Sequence, residues 1–383
     1  MRCNGWRPVE THRTAPQARR SRRATDRADI MHSHTRSTID CRSVAVYGAS
    51  GHTGGFILDE LARRGVAAVA VGRHPGAVRG GLEIRVASID DPAALERAFS
   101  GSGVVINAAG PFLDTAAPVI EAALAVGSHV VDVTAEQESA RATLDRFDAP
   151  ARARGLTVIP AAGFYGGLAD LIASALAGRD PIDAIRVAVA LDRWWPTAGT
   201  RRTGERNTFA RRVVDDGRLV AMSAHEPGRH WDFGPPHGIE AVEPVPLSEV
   251  VTIAHHLRVG HLRSYLGVAA LRDLRDPRTT PPPVVDAHGR SSQHFTMQVE
   301  LDDARGRRRA TASGRDIYAV TAPLVVEAAQ RLLSGESTRV GAITLGAAFD
   351  PCDMLDVLAS THFDLRFETV AGIAAGVGRA LHR

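Results

Sequence analysis

The chain has 383 residues, 44% hydrophobic and 23% charged, an ordinary balance for a protein that buries a core, and its length suits two or three domains of about 150 residues each. No run approaches the roughly 18 consecutive apolar residues of a membrane-spanning helix, and the polar, proline-broken first residues are not a secretory signal. All 46 Lys+Arg residues are arginine, which excludes Schiff-base chemistry and Tyr-x-x-x-Lys catalysis, since both require a lysine.

Cys3, Cys41 and Cys352 form no Cys-x-x-Cys pair. That spacing argues against a disulfide framework or a cysteine zinc site and suits a reducing, cytoplasmic setting. The basic charge is local: residues 1–42 hold ten arginines against four acids, a net +6, so the rest of the +3 chain carries −3. With no recognisable nucleic-acid-binding module, this segment reads as a disordered tail, and no nucleic-acid partner is expected.

From Ser43 the texture changes. Ser43–Tyr47 is a short apolar run ending at glycine, as a buried parallel strand does. A helix with Phe56, Ile57, Leu58 and Leu61 on one side follows, closing near Gly65. Ala67–Val71 and Glu83–Ala87 read as the second and third strands. Asp91-Pro92 starts a helix, with an Asp N-cap and proline at the first helical position. Val104–Asn107 is the fourth strand, Pro118–Val126 a helix, His129–Val133 the fifth strand, Ser139–Arg154 a helix and Leu156–Ile159 the sixth strand. Six strands alternating with helices predict a doubly wound α/β Rossmann domain over residues 43–177.

Beyond Ala177 the alternation is lost. Ala184–Leu191, Val250–Ala254 and Phe295–Leu301 read as strands, and Phe209–Asp215 reads as part of a helix. Glu226–Pro246 reads as irregular, Pro281–Pro283 as a linker and Ala319–Leu333 as a helix ending near Gly335. Residues 178–318 are expected to form a mixed α+β domain for substrate binding or dimerisation, with 319–383 a C-terminal helix and return segment packing back on the first domain.

The chemistry concentrates at strand ends. Gly48-Ala49-Ser50-Gly51-His52-Thr53-Gly54 lies between a strand and a helix. A pyrophosphate needs a tight turn, backbone free of Cβ atoms and a helix N-terminus aimed at its charge, and glycines at this spacing supply all three. The second strand ends in Gly72-Arg73-His74, where an NAD site would place Asp or Glu for the ribose 2′-hydroxyl. An arginine there suits the 2′-phosphate of NADP(H). Asn107-Ala108-Ala109-Gly110-Pro111-Phe112 supplies small residues where the nicotinamide half would lie. Asp132, Thr134 and Glu136 close the fifth strand at the ligand edge of the sheet, suited equally to capping the next helix and to the site.

Together these segments resemble the saccharopine dehydrogenase-like oxidoreductases, which include saccharopine reductases and the trans-acting enoyl reductases of lipid biosynthesis. Ala161–Asp170 occupies the place of the family's Gly-Phe turn before a helix bearing Asp-Leu. The resemblance covers Ser43–Leu176. It implies NADP(H) binding, a Rossmann domain followed by a substrate or homodimerisation domain, and reductase activity on a small-molecule substrate. Ala135 stands where the family usually has glycine, and Tyr165-Gly166-Gly167 replaces an Asp-Ser-Val-Pro type of sequence. Both departures point away from an amino-acid substrate.

In the second half, Arg193-Trp194-Trp195-Pro196 with Thr197–Thr203 suits an aromatic wall and polar loop over a substrate, or a packed domain interface. His255, His256 and His261 have no carboxylate at ligand spacing, so no metal is expected. Tyr165 is the candidate proton donor, because hydride addition to a C=C, C=N or C=O bond leaves a charge that needs a proton; a packed ring is the competing reading. An NADP-binding redox regulator without turnover, and an epimerase or synthase with tightly held NAD(P), remain the alternatives to a reductase.

Overall fold

Short strands buried on both faces build the first sheet, in a computed structural model that describes residues 43–337 and 339–370. In chain order they are β1 (Ser43–Tyr47), α1 (His52–Arg63), β2 (Ala68–Gly72), β3 (Arg85–Val86), α2 (Pro92–Phe99), β4 (Ser102–Asn107), α3 (Phe112–Ala125), β5 (His129–Asp132), α4 (Gln137–Ala153) and β6 (Thr157–Ile159). Every residue of β4 is buried, as in a parallel sheet covered by helices on both faces. Asp91 caps α2 by accepting the Ala94 N–H. Helix α3 starts six residues before the Pro118 of the sequence reading and carries that proline inside.

A π-helical turn at Phe164–Leu168 and α5 (Ala169–Leu176) lead into the second half. Its elements are β7 (Ile182–Leu191), α6 (Ala198–Arg206), β8 (Arg212–Asp215), β9 (Arg218–Ala221), β10 (Arg229–Asp232), β11 (Ile239–Pro244), α7 (Ser248–His256), β12 (Val259–Gly267), α8 (Val268–Arg275), β13 (His294–Asp303) and β14 (Gly306–Arg315). The chain then runs through α9 (Ile317–Leu333), β15 (Gly341–Ala342), α10 (Leu345–Ala348), α11 (Pro351–Ala359) and β16 (Phe363–Thr369).

The first sheet has the order β15-β6-β5-β4-β1-β2-β3, with parallel pairing throughout. The order reverses between β1 and β4, the switch point at which open α/β sheets bind ligands. Its seventh strand, β15, comes from far along the chain and was not anticipated. The second sheet is mixed, in the order β10-β11-β12-β7-β13-β14-β16 with β8 and β9 attached through β12. One hydrophobic cluster joins the α1 and α9 face of the first sheet to the second sheet, while α2, α3 and α4 pack in another on the opposite face.

Three local expectations are corrected. Phe209–Asp215 is not helical: its end is β8, joined to β9 by Asp216-Gly217. Both turn residues have positive φ, 47° and 73°, as a two-residue hairpin turn requires. Glu226–Pro246 is not irregular but holds the antiparallel pair β10 and β11. Val250–Ala254 is helical, inside α7, because an apolar β-branched run also suits a buried helix and packing decides between the two. The basic tail of residues 1–42 and the return segment beyond residue 370 lie outside the described residues. Among the described residues no helix is long and apolar enough to cross a membrane.

Candidate functional site

A cleft of about 780 Å³ opens at the carboxyl ends of β1, β2, β4 and β5 and runs between the two sheets. Its size falls within the ~300–1,000 Å³ of small-molecule sites.

The glycine turn forms one end. Gly48 has φ +83°, a left-handed conformation that favours glycine, and its N–H donates to the Val71 carbonyl at 3.0 Å. A Cβ on Gly54 would stand 2.2 Å from the Gly48 carbonyl oxygen, so this glycine is required for α1 to pack on the strand. Gly51 is different. It is exposed, has φ −76°, and a Cβ there would meet only the Gly48 oxygen, at 3.1 Å. The fold barely needs that glycine, whereas a phosphate lying on the turn does. Gly51 is also the N-cap of α1, and no side chain caps that helix, so its first N–H groups are aimed outward at the place an anion would occupy. The residues present therefore fit a dinucleotide pyrophosphate. Ser50, Gly51, His52 and Thr53 line the cleft with Gly48, whereas Ala49 and Gly54 support the turn from behind.

Arg73, with His74, lines the cleft beyond β2 and has no carboxylate partner among the described residues. Burial raises the nearby Tyr47 phenol against the opposing Arg73 charge, and that hydroxyl lacks a hydrogen-bond partner among the described residues.

At the β4 end, Ala108, Ala109 and Gly110 line the cleft but Asn107 does not. The Asn107 amide donates to Thr115 Oγ1 at 3.2 Å while its Oδ1 accepts the Ala109 N–H at 3.0 Å. Its task is to shape the turn from below. Pro111 stands at the N-cap position of α3.

Asp132, Thr134 and Glu136 divide similarly. Asp132 is buried and accepts the N–H groups of Thr134 (2.9 Å) and Ala161 (2.8 Å), which holds Ala161 at φ 55° and so fixes the turn leading to Phe164 and Tyr165. Burial pushes its carboxyl up to about 6 against those two bonds. Thr134 Oγ1 accepts the Glu136 N–H at 3.0 Å. Glu136 lines the cleft, and its two oxygens accept the Phe112 and Leu113 N–H groups at 3.0 Å each. It thereby caps α3 from another element. Burial, aided by the Asp132 and Asp114 charges, raises its carboxyl to about 7.

The second half supplies the other wall. Phe164, Tyr165, Trp194, Leu247 and Tyr318 line it, with residues 197–205 as roof. The Tyr165 ring lies 6.2 Å from that of Trp194. Its hydroxyl is buried without a partner, and burial holds the phenol well above its ordinary range. Trp195 does not line the cleft, and Thr197–Thr203 forms the start of a helix rather than a loop. His256 is bound to Asp170 at 2.6 Å and His261 to Asp215 at 2.8 Å.

Sequence reasoning missed Tyr318 and Arg211, both cleft residues. Tyr318 sits one residue inside α9, behind the Asp316 N-cap; that cap was the one local signal available. Its hydroxyl receives the Trp194 indole N–H at 3.1 Å and lies 2.9 Å from Thr200 Oγ1.

Residues 44–159 match the saccharopine dehydrogenase NADP-binding domain. The saccharopine dehydrogenase-like oxidoreductase of Mus musculus is 26% identical over 152 residues, covering 33% of this chain and 35% of that protein. The trans-acting enoyl reductase of Mycobacterium ulcerans (strain Agy99) is 26% identical over 140 residues, covering 33% and 34%. The chain thus spans about a third of the length of these curated relatives. Among solved structures, apo saccharopine dehydrogenase (L-Glu forming) from Saccharomyces cerevisiae superposes with a TM-score of 0.61 at 14% identity, covering 86% of this chain and all of that one, a likeness of fold. The sequence similarity is thus to the NADP-binding domain of the saccharopine dehydrogenase family and lies in residues 44–159.

Proposed function

We propose that the protein is an NADPH-dependent reductase acting on a C=C, C=N or C=O bond of a small organic or acyl substrate. The observation that carries this reading is the continuity of the cleft, from the glycine turn past Gly110 to the aromatic wall of Tyr165, Trp194 and Tyr318. The likeness to an enoyl reductase supports an acyl substrate.

When bound, NADPH supplies the hydride, and the chain supplies binding, orientation and the proton. The turn at Gly48–Gly51 and the α1 N-terminus would hold the pyrophosphate, Arg73 the 2′-phosphate, and Ala108–Gly110 the nicotinamide half. Asn107, Asp132 and Glu136 act through the backbone turns they hold. Phe164, Trp194 and Leu247 exclude water around the substrate. Tyr165 is the proposed proton donor: unlike Tyr318, it has no partner already holding its hydroxyl, and burial keeps it protonated through the neutral range.

The test is to purify the full chain, titrate it with NADPH, and follow NADPH absorbance with a panel of ketones, imines and enoyl thioesters. Consumption stoichiometric with a reduced product supports the reading. Tight binding with no consumption on any class would replace it by a redox-sensing regulator. A cofactor that survives purification without net consumption would point to an epimerase or synthase.

A further inference from the structure

Helix α6 has no buried side chain, yet residues 197–205 roof the cleft. At nine residues it is shorter than the ~12–15 residues at which isolated helices become marginal in water, and it contains Gly199 and Gly204. It is held by its attachments, which differ sharply at its two ends.

The first end is tied several times over. Thr197 caps the helix by accepting the Thr200 N–H at 3.0 Å. The Tyr318 hydroxyl receives the Trp194 indole N–H (3.1 Å) and the Thr197 N–H (3.4 Å) and lies 2.9 Å from Thr200 Oγ1. The Arg201 guanidinium donates to the carbonyls of Asp276 and Thr279 at 3.1 and 2.8 Å. Among the described residues the far end has one charged attachment, Arg206 to Asp114 in the first turn of α3 at 2.9 Å, with side chains 50% and 38% exposed. Exposed pairs of this kind are weak and screened by salt.

The two ends lie on opposite sides of the cleft. Tyr318 belongs to α9, which packs with α1 on one face of the first sheet, while Asp114 belongs to α3 on the other. Between them α6 seats on the proposed nicotinamide turn: a Cβ on Gly110 would stand 2.6 Å from Thr203 Oγ1. At the tied end, the Tyr318 ring touches His52 of the glycine turn, with ring centroids 5.3 Å apart.

We propose that α6 is a strap over the dinucleotide cleft, hinged at Tyr318 and Arg201 and latched by Arg206 and Asp114. It lifts at the latch to admit NADPH and closes on the Gly110 turn over the bound cofactor. Retention of NADPH then depends on an ion pair outside the cofactor contacts. This rests on the reading that NADPH binds the cleft.

The test uses limited trypsin digestion and NADPH release on the full chain, with Asp114→Asn as the variant. Trypsin cuts after arginine, so Arg202 and Arg206 report opening of the strap, and exposed Arg218 and Arg278 serve as internal references. Saturating NADPH should slow cleavage at Arg202 and Arg206 at least fivefold while leaving the reference sites unchanged. In the free protein, Asp114→Asn should speed cleavage at those two sites about two- to fivefold, the range set by a weak exposed pair. Stopped-flow NADPH fluorescence should show faster release from the variant by a similar factor, with the melting temperature retained. If NADPH binds the wild type but strap cleavage ignores both the cofactor and the substitution, the strap is overturned and the cofactor reading stands. If titration shows no NADPH binding, the cofactor reading falls and takes the proposal with it.

Discussion

Replacing Gly51 by valine separates what the fold requires from what the ligand requires. Gly51 has φ −76° and ψ 165°, which valine adopts without strain. It is exposed, and a Cβ there meets one atom, the Gly48 oxygen, at 3.1 Å. A poorer N-cap residue costs about 1 kcal/mol, and loss of glycine's freedom in the unfolded chain returns about 0.4–1 kcal/mol. The melting temperature should therefore move by no more than a few degrees. A pyrophosphate seated on the turn has no such tolerance, because the valine branch would stand between it and the α1 N–H groups. Losing one or two charge-assisted hydrogen bonds, each about 1.5–3 kcal/mol, predicts at least tenfold weaker NADPH binding. Calorimetric titration with NADPH, paired with a thermal melt, reads both quantities. Gly54→Ala is the contrast: its Cβ at 2.2 Å from a backbone oxygen should lower stability by about 1–3 kcal/mol and impair binding only as a consequence. A Gly51→Val protein that melts normally and binds NADPH within threefold of wild type would refute the placement of the dinucleotide.

Arg73→Ala should weaken NADPH at least tenfold, about 1.4 kcal/mol, and leave NADH nearly unchanged; equal losses for the two cofactors would remove the 2′-phosphate assignment. Glu136 tests the buried carboxylate. Its pKa in the fold is raised from 4.5 to about 7, so the native state holds the proton more tightly than the unfolded chain. That contribution is fully present below about 4.5 and is lost as pH rises through about 7, an effect of about 1–3 kcal/mol. Wild type should accordingly gain stability over Glu136→Gln between pH 8 and pH 5, and parallel melting curves across that range would contradict it. Tyr165→Phe distinguishes donor from packed ring. As donor, its loss should lower turnover by about 10²–10⁴ with NADPH affinity unchanged. If it is packing alone, removing an unpartnered buried hydroxyl should leave turnover intact and raise the melting temperature slightly.

The first half was legible because its signals are local. Apolar runs of four to six residues, Asp91-Pro92 as a helix start, and a glycine turn between strand and helix each act within a few residues, and they marked six of the strands of the first sheet. The second half failed where the signal was ambiguous. Val250–Ala254 carries the β-branched pattern of a strand, but Val250, Val251 and Ile253 are buried around a helix. The Asp216-Gly217 turn was a short-range hairpin signal that the flanking arginines and valines obscured.

The sequence by itself determined the class of the first domain, the glycine turn between its first strand and helix, and the arginine that follows the second strand, because backbone geometry and charge at adjacent positions are set by residue type. Only the tertiary structure decided which of the flagged residues face the cleft. Asn107 and Asp132 stand in the same motifs as Gly110 and Glu136, yet they turn inward to satisfy buried N–H groups. The roof was also beyond the sequence: Tyr318 meets His52 of the glycine turn across 266 positions of chain, and Arg206 meets Asp114 of α3 across 92. Contacts at such separations arise from the packing of one sheet against another, and no local pattern encodes them.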